Sequence, residues 1–560
     1  MKKLPLGIFT FDKVMNGNFL YVDKSKYIYE LARYDQPLLL SRPHNFGKTL
    51  LLSAVKSFFL GKKEQFKGLW VEKQDYDWKP HQIIHLDMSR VNTASLIDMK
   101  HSLSTNVAKI VKAANFKMRG RSASEILHNF IDDLRRMYNE RVVLLIDEYE
   151  TPIINNIFLP QKLPFVFGEL SKFYSVIEKA KESLRFTLLT GVERFPPRAL
   201  FSGAPSLRDV TFDPKFTSIC GLTIGELDQH FQEYMEATLS FLKEENLLDE
   251  ESGLAELRSD IIDWYGGYSW DGKTRLISPF FLLHFFRAKE FNNFWHTAKT
   301  PTKLIKLVHR HKLAFGLFDK SLSITPETSV IDHANLLPIP VLFQTGYLTV
   351  KSVTRQEDRL KYNLVIPNFA SRWLLFVYLM ARQFHCKPGQ LWSEMDQILR
   401  ALKNRDAKIT ALAFKRLLAS FDQQTIKPFS THYRQVFLYA MSILGQPLWA
   451  DGPTGQGLVN GLFKGPGNVF YVIQMSFLKL PESSAASAKT DSQAGEEWEF
   501  GQNQFEMAEN ELEDEARASL LRLDEFNYVE TLHNQGQEVV KAAIVVQSDS
   551  AVKVLFEEVD

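Results

Sequence analysis

Apolar positions in the first third of this chain gather into short runs, at residues 37–40, 83–86, 142–146 and 186–189. Runs of four or five apolar residues bounded by polar ones read as buried strands. Between them, residues 122–138 and 165–181 repeat apolar positions at helical spacing. Strands alternating with helices predict an α/β fold, a mostly parallel sheet with helices on both faces and ligands at the carboxyl ends of the strands. From about 221 to 310 the pattern turns helical and aromatic, with Trp264-Tyr-Gly-Gly-Tyr268 and residues 280–286. Residues 342–350 and 362–367 then alternate like a hairpin joined by the polar stretch 351–361, which suggests a small helical and winged region packed by its aromatic residues. Residues 371–445 read as largely helical, and 539–546 as a strand.

One segment differs in kind. Residues 491–515 hold ten acidic residues and no Lys or Arg, and a Ser/Ala-rich stretch at 483–487 precedes them. Such a composition buries little apolar surface, so a flexible acidic insertion is expected over 480–512. The expected organisation is residues 1–220, a nucleotide-binding α/β domain; 221–368, a helical lid and winged region; and 369–560, a further α/β domain that contains the insertion.

Two of the apolar runs end in candidate chemistry. The first leads through Ser41-Arg-Pro-His-Asn-Phe-Gly-Lys-Thr49 into a helical pattern. Backbone N–H groups at a helix start can cradle phosphates, Asn45, Phe46 and Gly47 form the turn, Lys48 supplies positive charge, and the Thr49 hydroxyl can ligate Mg²⁺. The usual motif has a Gly where Arg42 stands. The third run delivers Asp147 and Glu148 at its end, a carboxylate to hold the metal and a second to polarise water. The fourth run ends in Thr190, which could sense a γ-phosphate or satisfy its own backbone.

Composition narrows the rest. The 560 residues carry 67 Lys and Arg against 66 Asp and Glu, a net charge of +1, so charge gives no case for a nucleic-acid or anionic-membrane partner. Cys220 and Cys386 are the two cysteines and lack disulfide or metal-ligand spacing. No signal-like leader stands at the N-terminus, and the longest apolar stretch, residues 373–381, is too short for a bilayer, which suggests a cytoplasmic protein.

With these residues in place, the chain resembles the AAA-ATPase-like family of bacterial proteins that carry a C-terminal PD-(D/E)XK nuclease-like domain. The resemblance rests on Leu4-Pro-Leu-Gly-Ile-Phe-Thr-Phe11, Tyr21-Val-Asp-Lys-Ser25, Thr190-Gly-Val192, Phe201-Ser-Gly203, Trp264-Tyr-Gly-Gly-Tyr268, Phe294-Trp-His-Thr297 and Phe343-Gln-Thr-Gly-Tyr-Leu-Thr349, and covers nearly the whole chain. The family's cradle runs roughly R-P-R-R-F-G-K-S, so Arg42 matches it, while His44 and Asn45 occupy two Arg slots. The resemblance implies a P-loop NTPase sheet that takes ATP with Mg²⁺.

The C-terminal third departs from the family. An active nuclease of this type needs an Asp, then a strand with Glu-x-Lys, to hold Mg²⁺ and activate water. Here Asn460 falls in the Asp slot, Gln474 in the Glu slot and Ser476 in the Lys slot, and an upstream Glu falls near Ser430. Neutral amides are poor Mg²⁺ ligands. Lys479 lies close by without carboxylates to work beside. The resemblance therefore implies an ATP-binding, ATP-hydrolysing protein with a degenerate nuclease fold. A nucleotide-gated switch or scaffold without turnover is the alternative, and a nuclease drawing on Asp451 or Glu497 a third. Arg194, Arg198 and Arg208 follow the fourth run, where an arginine finger could arise, yet each also reads as a surface residue. A protein partner is left unspecified.

Overall fold

The computed structural model describes residues 1–245, 253–292, 300–311, 322–332, 335–356, 359–421, 430–448, 459–464, 469–478, 497–524, 527–547 and 551–559. Asp451, Lys479, residues 483–487 and the Phe294-Trp-His-Thr297 segment lie outside them. The chain divides into two compact units, Met1–Phe294 with Arg310–Asn368, and Trp295–His309 with Phe369–Asp560.

The first unit is built on five strands, β1 Leu38–Ser41, β2 Ile83–Asp87, β3 Val142–Asp147, β4 Leu184–Gly191 and β5 Arg208–Asp209, all parallel in the order β2-β3-β4-β1-β5. β3 is buried along its whole length. Five apolar residues in a row leave no face for water, so the strand sits centrally with helices on both sides. Val142, Leu144 and Ile146 face a core shared with helices α2 Leu96–Ala113, α3 Ala123–Tyr138 and α4 Leu163–Tyr174. On the other face α1, Lys48–Phe59, sets Phe59 against Phe186 of β4 at 4.8 Å. The strand lying between β1 and β3 is β4, and β2 is the outer neighbour of β3.

Local chemistry sets the helix ends. The Ser122 side chain accepts from Glu125 N at the start of α3, and Asn139 closes the helix with φ 52°. The helical pattern of 165–181 breaks after Tyr174, with a separate short helix at Val176–Lys179. Ser175 donates its hydroxyl back to Lys172 O at 2.7 Å, a local bond that competes with the helix ladder.

The helical region follows β6 Leu222–Thr223, which pairs with β7 Leu276–Ile277. Thr223 and Glu226 form a reciprocal cap at the start of α5, Ile224–Glu244, and α6 Leu254–Tyr265 and α7 Pro279–Ala288 pack after it. The expected hairpin is shifted. Residues 342–344 belong to α8, Pro338–Gln344, where Pro at the first position starts a helix. The hairpin itself is β9 Thr349–Gln356 with β10 Arg359–Val365, flanked by β8 Leu322–Ile324 on the far side of β10. Most of the polar stretch taken for a loop is thus paired strand. Its polarity marks a water-facing ribbon, with Ser352 opposite Asn363 and Thr354 opposite Lys361.

The second unit packs α9 Phe369–Gln383, α10 Pro388–Lys403, α11 Ala407–Ala419 and α12 Ser430–Leu444 with a five-stranded sheet. Its strands are β11 Gln446–Leu448, β12 Val459–Lys464, β13 Phe470–Leu478, β14 Val539–Gln547 and β15 Val552–Glu558, in sequential order, with only the β13–β14 pair parallel. Between β13 and β14 run α13 Glu497–Asp524 and α14 Asn527–Asn534. This corrects the expected insertion: residues 497–512 are helical, while 480–496 lie outside the described residues. Glutamate is a good helix former, and Leu512, Ala516 and Leu520 repeat at four-residue spacing to bury against Ala543 and Val545 of β14. Among the described residues, no helix is long and apolar enough to cross a membrane.

Candidate functional site

The turn from β1 to α1 is shaped by two residues with left-handed backbone, Asn45 at φ 63° and Gly47 at φ 93°. Asn tolerates that region and Gly adopts it freely, so the chain can coil tightly before α1 begins. A Cβ at Gly47 would meet nothing within 4 Å, so the turn faces open space. Among the described residues, no protein acceptor takes the N–H of Gly47, Lys48 or Thr49. Unpaired donors at a helix start, beside a lysine and an exposed Thr49, fit the chemistry of a bound phosphate and its metal.

Lys48 itself is buried, and its ammonium donates to Arg42 O and Pro43 O, both at 2.9 Å. Burial lowers its pKa, while Glu150, Cys220, Asp147 and Glu148 act in the opposite direction. Phe46 points away from the turn into the core, edge-on to Tyr268 at 4.8 Å, and so contributes backbone only. Arg42 makes no approach to the open side. Its guanidinium donates to Ser41 O at 2.8 Å, Thr211 O at 3.0 Å and Phe216 O at 2.9 Å, and lies 4.2 Å from the Trp270 ring. An arginine in the glycine slot thus braces the cradle against residues 211–217.

The carboxylates reach the cradle from the end of β3, and Thr190 from β4, the strand that lies between β3 and β1. Register pairs Val143 with Phe186 and Leu145 with Leu188, so Asp147 and Thr190 share the α1 face of the sheet. The Thr190 hydroxyl donates to Asp147 Oδ1 at 2.7 Å, and that oxygen also accepts from Glu148 N at 3.1 Å. Glu148 holds φ 51°, a conformation uncommon outside Gly and Asn and typical of residues aimed at a site. Burial raises its carboxyl pKa, a bond from Thr151 Oγ1 at 3.1 Å lowers it, and the Asp147 charge raises it again.

Two acids escaped the reading of the sequence. Glu150 and Glu193 are 2% and 4% exposed and sit just past the ends of β3 and β4. Glu150 Oε1 accepts from Val192 N at 2.5 Å, and its Oε2 has no hydrogen-bond partner. Gly191 is required at that point, since a Cβ there would stand 2.0 Å from Glu150 Oε2. An acid following each of two adjacent strand ends was the available signal.

An apolar cavity of about 110 Å³ opens at Gly47, lined by Leu20, Val22, Leu50, Ile219 and Phe231 among others. Of the arginines, Arg194 is buried with its Nε 2.6 Å from Asp209 Oδ2 and Nη1 2.5 Å from Ser329 Oγ. Arg208 pairs with Asp213 at 3.2 Å. The side chain of Arg198 lies outside the described residues.

The second unit brings Asn460, Gln474 and Ser476 together. Asn460 stands directly across from Gln474 in the β12–β13 pair, Ser476 follows two residues on, and all three are buried. With the Gln474 amide turned oxygen-inward, Oε1 accepts from Arg522 Nε at 3.0 Å and from Ser519 Oγ at 3.2 Å. Arg522 also pairs with Glu515, so a guanidinium from α13 fills the space beside the amide. Ser430 begins α12 and Glu497 begins α13, with neither side chain among those described. Among the described residues, no group of three His, Cys, Asp or Glu side chains could hold a metal ion.

Of the comparisons with known proteins, the family match falls within the first unit and the others extend more widely along the chain. Residues 5–201 match the family described as Predicted AAA-ATPase. A protein described as the uncharacterized protein in the vnfD 5′ region of Azotobacter chroococcum is 27% identical over 492 residues, which cover 87% of this chain and 91% of that protein. Among solved structures, a DNA replication initiation factor matches with 12% identity and a TM-score of 0.22, over 78% of this chain and 97% of that one. The Drosophila origin recognition complex bound to GC-rich DNA and Cdc6 matches with 14% identity and a TM-score of 0.18; this chain covers 28% of that one, and 36% of its own length is matched. Both scores are low, and the fold stands on the strand order itself.

Proposed function

We propose that the first unit binds ATP with Mg²⁺ at Asn45–Thr49 and hydrolyses it, and that the second unit is a nuclease-like domain without nuclease chemistry. The observation that carries the first part is the set of N–H groups at Gly47, Lys48 and Thr49 without an acceptor among the described residues, beside Thr190 on the adjoining strand β4 and its partner Asp147 on β3 beyond it. Lys48 would leave the loop carbonyls for the phosphates, Thr49 and Asp147 would hold the metal, and Thr190 keeps Asp147 turned toward it. The bound metal would neutralise charge developing on the phosphates. Glu148 accepts a proton from the attacking water. The apolar cavity at Gly47 is suited to the flat face of a base.

A switch that binds without turnover gains support from Arg194 and Arg208, both engaged in ion pairs and neither directed to the cradle. Turnover by purified protein, compared with turnover by Glu148→Gln at equal ATP occupancy, separates the two readings. For the second unit, neutral Asn460 and Gln474 supply no charge for Mg²⁺, and Arg522 already provides the cation that Gln474 meets. Metal-dependent cleavage of DNA or RNA by the wild-type chain would refute that part. The protein's partner and the process it serves are not part of the proposal.

A further inference from the structure

Glu150 and Glu193 form a buried carboxyl pair, and among the described residues no cation is bonded to either. Glu193 N donates to Glu150 Oε1 at 3.4 Å, which sets the two side chains side by side in the core, and Glu150 Oε2 has no hydrogen-bond partner. A buried oxygen left unpaired against another carboxyl is satisfied most simply by one proton held between the two. The charged and titratable groups facing the pair are Lys48 on α1, Glu148 on the β3 side, and the buried phenols of Tyr149 and Tyr174. Lys48 is the cation among these, and its field favours the ionised form of both acids.

We propose that Glu150 and Glu193 share a proton beneath the cradle, and that phosphate binding at Lys48 tightens their hold on it. This inference rests on the nucleotide reading above. Phosphates would draw the Lys48 charge toward themselves and add negative charge nearby, and both changes favour the protonated pair. Burial, and then the neighbouring Glu193, already push Glu150 well above the carboxylate range, and burial pushes Glu193 up to about 7. A second consequence follows from where the pair is tied. Glu150 holds Val192 N, the next residues are Glu193 and Arg194, and Arg194 N donates to Gln344 Oε1 of α8 at 2.6 Å. Occupancy of the cradle is thereby linked to the segment that joins β4 to the winged region.

The test is isothermal titration of the full chain with ADP–Mg²⁺ near pH 7 in two buffers of different ionisation enthalpy. The wild type takes up a fraction of a proton on binding, and its affinity falls as pH rises from 6 to 8, by at most about tenfold per pH unit for one proton. Glu193→Gln keeps the shape, removes one titrating group and binds without the buffer-dependent heat. If that variant does not fold, the wild-type heats decide alone. Binding with equal heats in both buffers and an affinity independent of pH overturns the inference and leaves the nucleotide reading standing. No binding heat at all in the wild type sinks both.

Discussion

The two units each place polar residues on a buried α/β sheet, yet they treat them in opposite ways. In the first, Asp147 and Thr190 lie at strand ends beside a turn whose N–H groups have no protein acceptor. In the second, Asn460, Gln474 and Ser476 lie within strands, roofed by α13, which brings Ser519 and Arg522 to meet Gln474. An unpaired donor in an open turn asks for an anion from outside. An amide already bonded to a guanidinium asks for nothing. At Gln474 the difference is one of satisfaction as much as of residue type, since a neutral amide met by a guanidinium demands no cation, while Asn460 Oδ1 across from it has no hydrogen-bond partner among the described residues.

That contrast can be broken most severely at Glu148. Glu148→Gln should keep ATP binding and lower kcat by roughly 10²- to 10⁴-fold, the usual worth of a positioned base. Unchanged turnover at saturating ATP would remove Glu148 from the chemistry. Lys48→Ala should weaken ATP affinity by roughly tenfold to a hundredfold, the scale of a hydrogen bond to a charged group. Gln474→Ala in the second unit should leave that affinity alone. Equal ATP affinity in wild type and Lys48→Ala would erase the contrast between the two sites.

Smaller effects sharpen the second side. Arg522→Ala leaves the Gln474 oxygen and Glu515 with the Ser519 hydroxyl in place of a cation, and should lower stability by about 2 kcal/mol in urea unfolding. A neutral outcome would mean that the guanidinium is incidental. Leu512→Ala should cost about 2–3 kcal/mol if α13 is seated as described, whereas a flexible acidic segment would feel nothing. The smallest effect concerns pH. Glu150 and Glu193 have raised folded pKa values, so the native state holds more protons than the unfolded one between the ordinary carboxylate range and about 7. Stability contributed by their protonation is therefore present at low pH and lost as pH rises through that window. Thermal melts from pH 5 to 8 should show a decline in Tm for wild type that is shallower in Glu193→Gln.

The strand ends that carry the proposed first site are legible because their signals are local. Gly47-Lys48-Thr49 after an apolar run and Asp147-Glu148 at the end of another each declare a strand end and its chemistry within a few residues. Where the reading failed, the deciding contacts were distant or the polarity misled. Residues 351–361 are polar because their ribbon meets water, and were taken for a loop. Residues 497–512 are acidic yet helical, and the buried apolar stripe among the described side chains of α13 runs through Leu512, Ala516 and Leu520.

Alone, the sequence determined the order of the first unit's main strands along the chain, the residue types that stand at the turn before α1, and the neutral amides at positions 460 and 474. Those follow from short-range pattern and residue type. Tertiary structure alone decided that β4 lies between β1 and β3, which delivers Thr190 to Asp147 across 43 positions in the chain. It also decided that Arg42 braces the cradle and that Arg522 fills the place beside Gln474. It set Glu150 against Glu193 as well. Each of these joins residues far apart in the chain, and strand order and packing, which no local pattern encodes, fix which of them meet.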